Sequence, residues 1–266
     1  FQVTDANGCT YQESYTVVPV TNITVSGELV ANVDCNGNAN GAVRFTAANF
    51  GGTYTAALTA GTGTLTQTGN TVDVTGLVPG TYTVTVTDNV TNCTAFASVV
   101  VTEPAALGLN LVNNVNANCN FGARVEVAAT GGTPAYRYQF VVDGAAHNPL
   151  DYDIFTSTVL DPAVSTAWDV WVIDANNCET MLDITIGEDL PPSINSSVGL
   201  YCYTGGPVPI TITGTYVGTP MFSIGNGYQS SPNFVLNAPG NYTFYIKDGN
   251  GCITSSPYTL NQELLL

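Results

Sequence analysis

The chain has 266 residues, with 20 Asp and Glu against 4 Lys and Arg and a single His, for a formal net charge of -16 at neutral pH. Phosphate backbones and anionic lipid surfaces are bound largely through Lys and Arg, so this balance excludes nucleic acid and an acidic membrane surface as partners. Charged residues are only 9% of a chain that is 44% hydrophobic, so it is too apolar for disorder, and Thr, Asn, Ser and Gly must supply its polar surface.

Thr, Val and Tyr favour strands while Asn, Gly and Pro mark turns, which predicts an all-β protein. The chain opens on "FQVTDANGC" (1–9), and this pattern returns as "GTYTVTVTDNVTNC" (80–93), "STAWDVWVIDANNC" (165–178) and "GNYTFYIKDGNGC" (240–252). Residues 1–20 are therefore read as the C-terminal part of a repeat, followed by complete repeats over 21–104, 105–190 and 191–263, with 264–266 beginning the next linker or repeat. Boundaries fall at Pro19 to Thr21, Pro104 and Pro191 to Pro192. Both ends cut through the pattern, as in a segment of a longer array. No apolar run is long enough to span a bilayer, and no charged n-region with an apolar h-region opens the chain.

In the first complete repeat, alternation and breakers predict strands at Thr24–Val33, Ala42–Ala48, Tyr54–Thr59, Thr64–Gln67, Thr71–Thr75, Thr81–Thr87 and Thr94–Thr102. Seven short strands in this length predict an immunoglobulin-like or fibronectin-III-like sandwich, and the whole chain a tandem, elongated array of them. Tyr82, Val84 and Val86 are expected to face the core and Thr81, Thr83, Thr85 and Thr87 the solvent. Trp168, Val170 and Val172 repeat this in the second unit, and Tyr242, Phe244 and Ile246 in the third. The Leu77-x-Pro79-Gly80-x-Tyr82 run resembles the fibronectin-III approach to a sixth strand, whose Tyr hydroxyl bonds back to the preceding loop.

In the second unit the Gly-Gly-Thr-Pro run follows at 131–134, in "CNFGARVEVAATGGTPAYRY" (119–138). Early Cys, Gly/Asn turn, "GGTPAYRYQF" and the late "PGTYTVTVTD" pattern with its Cys together resemble SprB-type and related Ig-like repeats of Bacteroidota cell-surface proteins. That resemblance implies a long adhesin exported by the type IX secretion system, surface-exposed at the outer membrane and used for attachment or gliding. Its expected partners are adjacent repeats of the same chain, surface glycans or the substratum, and the secretion and motility machinery.

Catalytic signatures are sparse. A hydrolase triad needs a His, and His147 in the loop "VDGAAHNPLDYD" comes without a Gly-x-Ser-x-Gly elbow. Asp151 and Asp153 are the nearest carboxylate pair, but alternation along an extended segment turns them to opposite faces. No P-loop, dinucleotide fingerprint or zinc spacing is present. The expectation is no enzyme and no cofactor, with calcium the one metal to weigh. Asp5, Asp88, Asp174 and Asp248 recur before Asn or Gly, which suits either a hairpin or a weak calcium ligand. The cluster Asp143, Asp151 and Asp153 is the better calcium candidate.

Seven cysteines point to an oxidising compartment and a disulfide framework. Cys35, Cys119 and Cys202 open the repeats, while Cys9, Cys93, Cys178 and Cys252 close the recurring hairpin. One alternative pairs early with late inside each repeat: Cys35 with Cys93, Cys119 with Cys178, Cys202 with Cys252. The other joins neighbouring repeats: Cys35 with Cys178 and Cys119 with Cys252, leaving Cys9, Cys93 and Cys202 for other repeats. Early and late cysteines lie at opposite poles of a sandwich, roughly 20 to 30 Å apart, whereas a disulfide needs Cα atoms within about 7 Å. The expected function is a stalk or filament segment of a secreted adhesin. The rival is an array of carbohydrate-binding or spacer modules in a polysaccharide-degrading enzyme, with Tyr201, Tyr203, Tyr228 and Trp171 as candidate sugar platforms.

Overall fold

The computed structural model describes residues 1–16, 22–195 and 202–262, so residues 263–266 and the first boundary, at Pro19 to Thr21, lie outside the described residues. The chain divides into two units, Phe1–Ala106 and Leu107–Leu266.

The first unit opens with a hairpin, β1 (Gln2–Thr4) against β2 (Thr10–Gln12). Seven strands follow: β3 (Thr24–Ala31), β4 (Gly41–Ala48), β5 (Tyr54–Ala60), β6 (Thr64–Thr68), β7 (Thr71–Leu77), β8 (Gly80–Asp88) and β9 (Thr94–Val101). Each ends within two residues of where alternation predicts. They pair as β3-β4-β7-β6 and β5-β8-β9, the strand order of a constant-type immunoglobulin sandwich. Val43, Phe45, Val72 and Val74 from the first sheet meet Tyr82, Val84 and Val86 from the second in one core. The period of two along β8 puts every second side chain into that core and leaves the Thr residues between them on the outer face.

The second unit holds two further sandwiches with separate cores. The first comprises β10 (Gly108–Val115), β11 (Ala123–Thr130), β12 (Arg137–Val142), β13 (Ser157–Leu160), β14 (Ala167–Ile173) and β15 (Glu179–Thr185), paired β10-β11-β13 and β12-β14-β15. This repeat has six strands where the sequence count predicts seven. Between β12 and β13 the chain carries Gly144, Pro149 and closely spaced Asp residues without alternation, and it forms a loop that touches the sheet through a Tyr138–Asp153 bridge.

The third sandwich contains β16 (Ser193–Ile194), β17 (Cys202–Tyr203), β18 (Val208–Thr211), β19 (Gly214–Thr215), β20 (Met221–Ser223), β21 (Asn233–Leu236), β22 (Gly240–Lys247) and β23 (Ile253–Gln262). Its largest sheet runs β17-β23-β22-β20, with β17 parallel to β23. Phe222, Phe244, Ile246 and Leu260 form the centre of its core.

The turn before the next-to-last strand (β8, β14 and β22) is fixed alike in all three sandwiches. Tyr82 Oη donates to the Val78 carbonyl at 2.8 Å and Tyr242 Oη to the Ala238 carbonyl at 2.7 Å. In the second sandwich an indole takes this part, with Trp168 Nε1 donating to the Ser165 carbonyl at 2.8 Å. Each places an apolar ring against the core and satisfies a turn carbonyl with the ring's one polar atom.

Candidate functional site, a disulfide joint

Cys252 closes the hairpin between β22 and β23. Asp248 shapes that hairpin: its Oδ1 accepts the Cys252 N–H at 2.8 Å, and its own N–H donates to the Cys252 carbonyl at 2.9 Å. The bond from the Asp N–H to the Cys carbonyl recurs at every copy, and the bond from the Cys N–H to the Asp carboxylate at all but Asp88, where Thr91 Oγ1 accepts the Cys93 N–H instead. Asp5 Oδ1 accepts the N–H groups of Asn7 and Cys9. Asp174 Oδ1 accepts those of Asn176 and Cys178, and its Oδ2 that of Thr133. Asp88 accepts the N–H groups of Val90 and Gly51 and the Thr91 hydroxyl. These bonds, led by Val90, outweigh desolvation and hold the Asp88 carboxyl below its ordinary value. The recurring Asp is therefore engaged in organising a turn, and it presents the following cysteine in a fixed direction.

Cys119 lies in the tight loop after β10, where Asn118 N–H bonds the Phe121 carbonyl and Asn118 Oδ1 accepts the Asn120 N–H. Cys119 and Cys252 are joined by a disulfide, with Cα atoms 5.8 Å apart, across 133 residues of sequence. The bond links the second sandwich to the third. Polar contacts reinforce it. Asn120 Nδ2 donates to the Asn250 carbonyl at 2.8 Å. Asp189, in the connection between the sandwiches, accepts Asn116 Nδ2 on one oxygen and Asn250 Nδ2 on the other, at 2.8 and 3.0 Å. Its backbone N–H bonds the Ala117 carbonyl at 2.7 Å. The connection is thus tied to the loop of one sandwich and the hairpin of the next. A similar strap lies within the first unit, where Val33 N–H bonds the Thr102 carbonyl and Glu103 Oε2 accepts the Gly37 N–H.

The alternative pairings Cys119–Cys178 and Cys202–Cys252 do not form, because Cys252 is taken by Cys119 and Cys202 is free. Cys35–Cys93 does not form either: Cys35 is disulfide-bonded, as is Cys178, while Cys93 is free. The physical reason is the separation of poles within one sandwich. Cys9 is free and exposed.

Asn116, Asn120, Asp189 and Asn250 were not marked by the sequence, since an Asn-rich stretch beside a cysteine reads first as turn chemistry. Asp143, Asp151 and Asp153 do not assemble as a calcium cluster. Asp153 bridges Tyr138, whereas Asp143 lies five residues further along the strand direction, roughly 16 Å away. Asp151 accepts the Asn148 amide, and Asp153 Oδ1 accepts the Ile154 N–H. Asp143 instead joins Asp169 and Asp183.

His147 stacks on Trp171 with ring centroids 3.9 Å apart and lies 3.3 Å from Glu179. Tyr152 packs against it and is nearly buried, which pushes its hydroxyl well above its ordinary pKa. The Trp171 face is thereby covered. Tyr203 packs on the third core, Tyr228 is exposed, and Tyr201 lies outside the described residues.

No family model matches the chain, and no curated protein matches it. Solved structures with a similar chain path include three N-terminal domains of the outer capsid protein Hoc of bacteriophage RB49, at 13% identity and a TM-score of 0.46, covering 92% of this chain and 100% of that one. A titin fragment shares 10% identity at a TM-score of 0.32, covering 91% and 100%. The complex of Dpr2 with DIP-Theta immunoglobulin domains gives 10% and 0.33, covering 89% and 99%. The chain is a tandem array of immunoglobulin-like β-sandwiches, as its strand order shows.

Proposed function

We propose that this chain is a structural segment of an extracellular array, the stalk or filament of a long bacterial surface adhesin serving attachment or gliding. The observation that carries the reading is the Cys119–Cys252 bond between consecutive sandwiches. A disulfide persists in an oxidising compartment, which supports a location outside the cytosol. The bond also defines a path for tension. Force entering through β10 reaches Cys119, crosses to Cys252 and leaves through β23, so β11 to β22 lie inside a closed covalent loop. A chain that transmits pull without unravelling is what a stalk requires, and the reading assigns it no catalysis. His147, stacked on Trp171 and facing Glu179, is engaged in packing the loop that follows β12. The specific class of adhesin rests on the repeat motifs.

Single-molecule stretching tests the mechanical reading. Without reductant the segment should release at least roughly 45 nm less contour length than with it, from the 133 residues this bond spans at about 3.4 Å each, because reductant also opens the bonds of Cys35 and Cys178. Equal lengths under both conditions would overturn it. Binding of the oxidised chain to immobilised polysaccharides would favour the carbohydrate-binding alternative, and immunolabelling of intact producing cells tests surface exposure.

A further inference from the structure

In the sheet β12-β14-β15, the register sets Val141 opposite Asp169 and Asp169 opposite Asp183. Asp143 is the residue after β12, and its N–H bonds the Ala167 carbonyl at 3.1 Å, which brings it to the same end of the sheet. Each of the three carboxylates offers an oxygen, and these oxygens lie within 4.8 Å of one another. Asp143 and Asp183 are exposed, while Asp169 between them is 5% exposed. Asp169 Oδ2 accepts the Gly144 N–H at 3.0 Å, and its Oδ1 is buried with no hydrogen-bond partner. Neither ion pair found among the described residues, Arg44–Asp73 or His147–Glu179, touches this trio.

Carboxylates directly opposite on paired strands repel, and a buried carboxylate oxygen without a partner is costly. An oxygen-liganded cation would relieve all of this at once. Calcium binds oxygens at about 2.3 to 2.6 Å, so two ligands on one ion stand up to about 5 Å apart, which suits the spacing here. An all-carboxylate set without Cys or His is a poor site for zinc.

We propose that Asp143, Asp169 and Asp183 form a calcium site on the second sandwich, with Asp169 as the buried anchor and the other two as rim ligands. Three carboxylates open to water on one side correspond to the weak affinity of extracellular modules, with a dissociation constant of about 0.1 to 1 mM. Because Asp143 and Gly144 begin the loop that covers Trp171, the ion fastens that loop to the sheet. The proposal stands apart from the stalk reading, since it concerns one sandwich and any function would accommodate it.

The test uses the whole oxidised chain in calcium chloride and in EDTA, with terbium as a luminescent probe sensitised by Trp168 and Trp171. Calcium should raise the Tm of the second sandwich and compete away terbium emission. Asp169→Asn and the exposed Asp183→Asn should each abolish both effects, and Asp169→Asn in EDTA should be at least as stable as the parent. No calcium-dependent shift and no competable emission would overturn the site. Effects that survive in both variants would place calcium elsewhere and overturn it equally.

Discussion

Asp174 shows how much of the architecture depends on single carboxylates. It is almost fully buried and accepts three backbone N–H groups, two from its own hairpin and one from Thr133. Charge-assisted bonds of this kind are worth more than neutral ones, so Asp174→Ala should destabilise the second sandwich by about 3 kcal/mol, read by chemical denaturation. Asp88 carries a pH signature. Its folded carboxyl titrates below the ordinary Asp value, so the unfolded chain takes up the proton first on acidification. The stability it contributes is complete above about pH 4 and drains as the pH falls through the lower folded value. In an acid series followed by circular dichroism, Asp88→Asn should flatten this part of the loss and lower stability at neutral pH.

At the scale of elements, the turn before β8 is fixed by a hydroxyl and a glycine. Tyr82→Phe removes the bond to the Val78 carbonyl while keeping the ring in the core, and should cost about 1 kcal/mol. Gly61, between β5 and β6, has φ of +84°, and a methyl group there would stand 2.4 Å from Tyr82 Cδ1. Backbone strain and overpacking both follow, so Gly61→Ala should cost about 2 to 4 kcal/mol in thermal unfolding. Strand positions in the first sandwich are legible because alternation and breakers act locally. In the second sandwich Gly144 and Pro149 are equally visible, but their effect, a loop where the first sandwich has its fourth strand, β6, depends on what the sheet β12-β14-β15 offers to cover it.

At the scale of the molecule, the second and third sandwiches are joined covalently, and the bond closes a loop of 133 residues. Non-reducing peptide mapping should return a Cys119–Cys252 peptide and neither Cys119–Cys178 nor Cys202–Cys252. In the chain-entropy account so long a closed loop contributes about 5 kcal/mol, so Cys252→Ser should lower the Tm of these two sandwiches together. A drop confined to the third would show that the bond supports only its own hairpin.

The sequence by itself determined the all-β class, the repeat, the core faces and the hairpins, because side-chain alternation and turn chemistry are properties of neighbours in the chain. Tyr82, Val84, Val86 and the recurring Asp were readable for that reason. It left two cysteine pairings open and grouped Asp143 with Asp151 and Asp153. Only the tertiary structure joined Cys119 to Cys252, set Asp189 between Asn116 and Asn250, and placed Asp143 beside Asp169 and Asp183. Those groupings depend on the register of strands and the meeting of loops far apart in sequence, which no local pattern encodes.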